Sequence, residues 1–145
     1  MRQAERIVGD SMVELVYNKS AVLYDGVTEL LDYLKENDCR LLILSNCKIA
    51  YLEAHREVFG LDRWFTGYYP AQKYDFVPKE DILKQIMTKY PGDYTMIGDR
   101  ANDIVAGSIC GAKTIGCRYG FGTAKELMSA DYIVDDPMEI VTITG

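Results

Sequence analysis

The chain of 145 residues has one histidine and four cysteines, and no apolar run near the roughly 18 residues that a membrane span requires. With His55 alone, a multi-histidine metal centre is excluded, and any imidazole mechanism would have to use that residue. Cys39, Cys47, Cys110 and Cys117 show no C-x-x-C spacing, so they read as reduced thiols of a cytoplasmic protein. Positive charge is also short: 16 Lys+Arg against 22 Asp+Glu leave a net charge of -6, the wrong sign for nucleic acid or an anionic membrane surface. Residues 1–6 (MRQAER) lack the apolar core of a signal peptide. What is present, 48% hydrophobic and 26% charged residues, is an ordinary globular composition for one compact domain.

Short apolar runs at 41–44, 94–97, 114–117 and 132–134 predict strands buried on both faces, with a weaker candidate at 65–69. Between them the helical spacing of apolar residues predicts helices over 27–37, 48–59, 79–89, 101–110 and 123–129. Strands alternating with helices imply parallel pairing and right-handed crossovers, hence a Rossmann-like three-layer α/β/α sandwich. Ile7, Val8, Met12, Leu15 and Val16 predict a further helix over residues 2–18, with no strand ahead of it. The chain therefore divides into an N-terminal helix (1–20) and a core domain (21–145).

Ligands of open α/β sheets bind beyond the carboxyl ends of the strands. Three places there carry chemistry. Ser45-Asn46 ends one strand, where a hydroxyl and helix-start N–H groups suit a phosphate oxygen. Asp99 and Asp103, in Gly98-Asp99-Arg100-Ala101-Asn102-Asp103, are hard oxygen donors of the kind Mg²⁺ takes. Lys79 opens its helix and could offset negative charge. Each has a plainer alternative: Ser45 and Asp99 as helix caps, Asp103 solvated, Lys79 a surface lysine.

Taken together, Ser45, Lys79 and Gly98-Asp99-x-x-x-Asp103 resemble, in order and placement, the haloacid dehalogenase (HAD) superfamily hydrolases. Residues 94–107 (YTMIGDRANDIVAG), 114–123 (TIGCRYGFGT) and 130–135 (ADYIVD) resemble the phosphoglycolate phosphatase-like branch. The resemblance implies Mg²⁺-dependent hydrolysis of a small phosphomonoester. In it Ser45 and Asn46 hold phosphate, Lys79 stabilises charge, Asp99 ligates Mg²⁺ and Asp103 supports the metal.

The family's first motif, an apolar strand ending in Asp-x-Asp, is the attacking carboxylate and its acid/base partner. No Asp-x-Asp occurs anywhere in the chain. Asp25, in 21–28 (AVLYDGVT), has Val27 two places on and reads as a helix-capping turn. The expectation is thus a phosphatase fragment or subunit, missing its first central strand and most of its cap, with residues 2–18 a cap remnant. Mg²⁺ would be held weakly or not at all, and the chain alone would be catalytically incompetent. The gap in the sheet would be closed by direct pairing of 41–45 with 94–98, or by a strand from another chain, an upstream polypeptide or a second copy. The alternative function is a non-catalytic module that accepts a partner strand; a receiver-like phosphoacceptor using Asp99 fits less well.

Overall fold

In the computed structural model, residues 6–9, 26–45, 48–118 and 123–144 are described. Six strands form one sheet: β1 (Arg6–Gly9), β2 (Arg40–Ser45), β3 (Phe65–Pro70), β4 (Tyr94–Gly98), β5 (Lys113–Cys117) and β6 (Tyr132–Val134). The helices are α1 (Val27–Glu36), α2 (Ile49–Phe59), α3 (Lys79–Lys89), α4 (Ala101–Ile109), α5 (Ala124–Leu127) and α6 (Glu139–Thr144). Every pairing is parallel, and the strand order is β3-β2-β1-β4-β5-β6. This is the doubly wound α/β arrangement that the alternation of elements predicted.

Strand alternation divides the core into two layers. Leu41 and Ile43 of β2 and Ile97 of β4 face a cluster with Leu30, Leu31 and Leu34 of α1, Leu52 of α2 and Trp64. Leu42, Leu44 and Met96 face the opposite side, against Ile82, Leu83 and Ile86 of α3. Full burial of each such side chain contributes about 1.5–3 kcal/mol, so both helical layers are held by the sheet's two apolar faces. Trp64 belongs to the core, and its Nε1 donates to Asp32 Oδ1 at 2.8 Å.

The close fit of α4 on the sheet depends on Gly107. A Cβ there would lie 2.7 Å from Thr114 Cγ2 and 2.8 Å from Met96 Cβ, closer than side chains tolerate. Thr114 in turn anchors the approach to β6: its N–H and hydroxyl donate to Asp131 Oδ2, and its hydroxyl accepts from Asp131 N–H.

One expectation is overturned. Residues 6–9, assigned to a helix over 2–18, form a strand, and it occupies the centre of the sheet. Arg6–Gly9 pairs with Arg40–Ile43 on one side and Tyr94–Ile97 on the other. The first central strand is therefore present, β2 and β4 do not pair directly, and the sheet's central gap is filled by this chain. The reason is tertiary. Ile7-Val8-Gly9 is too short to declare itself by periodicity, while Met12, Leu15 and Val16 extend a helical pattern across it. Two facing strands with unpaired backbone groups make strand geometry the one that satisfies all three segments.

Candidate functional site

The strand order reverses direction between β1 and β4, and doubly wound sheets open their binding crevice at the carboxyl ends flanking such a switch point. In the paired register Gly9 stands beside both Ile43 and Ile97. The ends of β2, β1 and β4 therefore run out at one edge, bringing Ser45, Gly9 and Gly98 to neighbouring positions.

Asp99 leaves β4 directly behind Gly98 and is fully buried, as is Asp103 on the first turn of α4. Asp103 uses both carboxylate oxygens on protein groups. Its Oδ1 accepts from Lys79 Nζ at 2.6 Å, and its Oδ2 accepts from the N–H groups of Asp99 and Arg100, each at 3.1 Å. The second pair of bonds closes the loop at the end of β4 and caps α4. Asp103 is thus not solvated, as its plainer reading had it, but committed to Lys79 and to two backbone amides.

Gly98 is required by the same arrangement. A Cβ at that position would lie 2.3 Å from Asp103 Cβ and 2.3 Å from its Oδ2. Only a residue without a side chain lets the Asp103 carboxylate fold back over the end of β4.

Lys79 is the first residue of α3, introduced by Pro78, and its side chain is 2% exposed. Burial pushes its ammonium below the usual lysine pKa, while the Asp103 and Asp99 carboxylates push it back up. The net direction is down, because desolvation of the charged form is the largest influence. The lysine is thus no surface residue; helix α3 delivers it across the sheet edge to Asp103.

Ser45, at the end of β2, is buried at 6% exposure. Asn46, Cys47, Asp25 and Gly120-Phe121-Gly122 lie outside the described residues. His55 lies on α2, its Nδ1 2.7 Å from Tyr51 O and its ring between Tyr51 and Phe59. Among the described residues no group of three or more His, Cys, Asp or Glu side chains converges as a metal cluster, and no helix is long and apolar enough to cross a membrane.

Sequence reasoning did not weigh the residue that follows β1. Directly after Gly9 in the chain comes Asp10, itself outside the described residues. Its sequence signal is an apolar pair, Ile7-Val8, followed by Gly-Asp, and it becomes legible only once residues 6–9 are known to be the central strand.

The class this defines is a doubly wound α/β protein with a buried lysine–carboxylate pair and a second buried carboxylate at its switch point. Residues 3–111 match the model of the haloacid dehalogenase-like hydrolases, and the chain belongs to that family. It is 27% identical over 129 residues to a phosphoglycolate phosphatase from Pasteurella multocida, covering 85% of this chain and 58% of that one. The chain thus spans a little under three-fifths of that relative's length. A predicted phosphatase from Clostridium acetobutylicum superposes with a TM-score of 0.76 at 27% identity, over 85% of this chain and 60% of that one. A crystal structure of a Clostridium difficile protein shares the fold over 99% of both chains, with a TM-score of 0.79 at 16% identity.

Proposed function

We propose that this chain transfers the phosphoryl group of a small phosphomonoester, of the phosphoglycolate class, to the carboxylate of Asp10. The observation that carries the reading is the position of β1. Asp10 comes directly after the central strand in the sequence, and that strand ends at the edge to which Ser45, Lys79 and Asp99 belong, so the attacking group has a candidate. The phosphoglycolate phosphatases among its relatives supply the substrate class.

In this reading Ser45 donates a hydrogen bond to a phosphate oxygen, and Lys79 offsets the charge that builds on the transferring group. A carboxylate oxygen of Asp10 attacks phosphorus, the bond from phosphorus to the ester oxygen breaks, and that oxygen takes a proton from water. Hydrolysis of the resulting aspartyl phosphate releases inorganic phosphate and restores the carboxylate. Met12 stands where the family's first motif carries its acid/base aspartate. Both steps therefore lack an internal proton shuttle, and the expected behaviour is a phosphorylated intermediate that forms and then decays slowly.

Asp99 fits a Mg²⁺ ion: it is a hard, fully buried oxygen donor at the strand end, and Mg²⁺ is usually held by one or two carboxylates with waters and substrate phosphate. When bound, the ion would neutralise phosphate charge.

The test is acid-quench trapping with radiolabelled acetyl phosphate or a phosphomonoester. Hydroxylamine-labile label that disappears in Asp10→Asn and survives in Asp25→Asn supports the assignment. Label retained in Asp10→Asn, or none in the unmodified protein, would overturn it.

A further inference from the structure

A cleft of about 280 Å³ opens where the edge strand β3 meets the C-terminal half of α3. Its lining includes Tyr68 and Tyr69 of β3, Lys73 and Tyr74 of the turn after it, and Gln85 and Lys89 of α3. Gln85 and Lys89 stand six and ten residues beyond Lys79, which at 1.5 Å per residue is roughly 9–15 Å along the helix. The cleft is therefore separate from the phosphate crevice.

Its chemistry runs against the rest of the molecule. The chain carries a net charge of -6, yet the described lining holds two lysines and no carboxylate. Neither lysine takes part in an ion pair among the described residues; Lys89 instead lies 5.2 Å from the Tyr90 ring centroid. Two aromatic rings, Tyr69 and Tyr74, line this space from the α3 side of the sheet. The rings of Tyr69 and Tyr74 are 6.5 Å apart and tilted by 31°, leaving an apolar wall beside the two cations. Tyr68, next to Tyr69 on the strand, packs its ring in the opposite layer, its hydroxyl donating to Asp62 Oδ1 at 2.6 Å and its ring covered by the Arg56 guanidinium at 4.4 Å. Burial raises the pKa of the Tyr69 phenol, which keeps it a hydrogen-bond donor at neutral pH.

We infer that this cleft binds a small organic anion with a planar body, an aromatic ring carrying one phosphate, phosphonate or carboxylate group. Lysines 73 and 89 take the anion, and Tyr69, Tyr74 and the Gln85 amide take the ring and its polar substituents. The volume sits just below the ordinary range of ligand pockets, which favours one ring with one charged group over a dinucleotide.

Phenylphosphonate tests this, because it carries a planar ring and an anion on a carbon–phosphorus bond that phosphomonoester hydrolysis does not cleave. In an amide-resolved NMR titration of the full chain, saturable shifts are expected at residues 68–74 and 85–89. Both lysines are exposed, so Lys73→Ala/Lys89→Ala leaves the fold intact, and it should weaken those shifts at least about tenfold, the loss of one charge-assisted contact or more. Shifts confined to the neighbourhood of Ser45 and Asp99, shifts that do not saturate, or equal affinity in the double-alanine variant would overturn the site.

Discussion

The Lys79 ammonium and the Asp103 carboxylate meet at 2.6 Å with side chains 2% and 0% exposed. They come from the first turns of two different helices and tie α3 to α4 beneath the crevice. Removing one partner strands the other charge in the interior, where such losses run to about 3–5 kcal/mol. Lys79→Met and Asp103→Asn are each expected to destabilise by that order in urea unfolding. The double variant should cost less than the sum of the two, because neither charge is then left alone.

Gly98 gives a second stability prediction. Gly98→Ala forces a methyl group into the space of the Asp103 side chain, at 2.3 Å from its Cβ. Overpacking of this kind costs about 1–3 kcal/mol, and here the neighbour cannot move without breaking the Asp99 and Arg100 amide bonds. Thermal unfolding should show the loss. The hydroxylamine-labile label should fall with it, because the displaced carboxylate is the one holding Lys79.

Turnover tests the assignment of positions 10 and 12. With p-nitrophenyl phosphate, whose leaving group needs little protonation, the unmodified chain is expected to release a rapid burst of nitrophenol followed by a slow steady phase. Met12→Asp supplies the missing proton carrier, and should raise the steady rate by about 10²–10⁴-fold, the usual contribution of general acid–base catalysis. Asp10→Asn should abolish both phases. A steady rate that Met12→Asp leaves unchanged would show that proton transfer does not limit this chain.

Asp62 offers a pH prediction far from the crevice. The Arg56 guanidinium bonded to it, and then the Tyr68 hydroxyl, hold its carboxyl below the usual range. The folded pKa lies under the unfolded value, so the stabilisation is present above the ordinary carboxylate range and lost as pH falls through the folded value. Asp62→Asn should therefore be less stable than the unmodified chain at neutral pH, and the two should converge in strong acid. The pair is solvent-exposed, so the difference is expected to shrink in high salt as well.

Much of this was legible in the residues. Leu41–Leu44, Tyr94–Ile97 and Thr114–Cys117 are strands within a residue or two of the expected bounds, because each is a short run of apolar side chains that two covered faces demand. Helix α6 (Glu139–Thr144) was not foreseen; Ile140, buried against the α1 side of the sheet, is too brief a signal to announce a helix. At the site, Asp99, Asp103, Lys79 and Ser45 could be named from their order along the chain. Their burial, and the division of Asp103 between a lysine and two amides, could not.

By itself the sequence determined the layer architecture and the family, since those depend on local periodicity and on the motifs at strand ends. Only the tertiary structure decided that Arg6–Gly9 is the central strand. A four-residue segment has no period long enough to read, and its conformation is chosen by the backbone donors and acceptors that β2 and β4 present to it on either side.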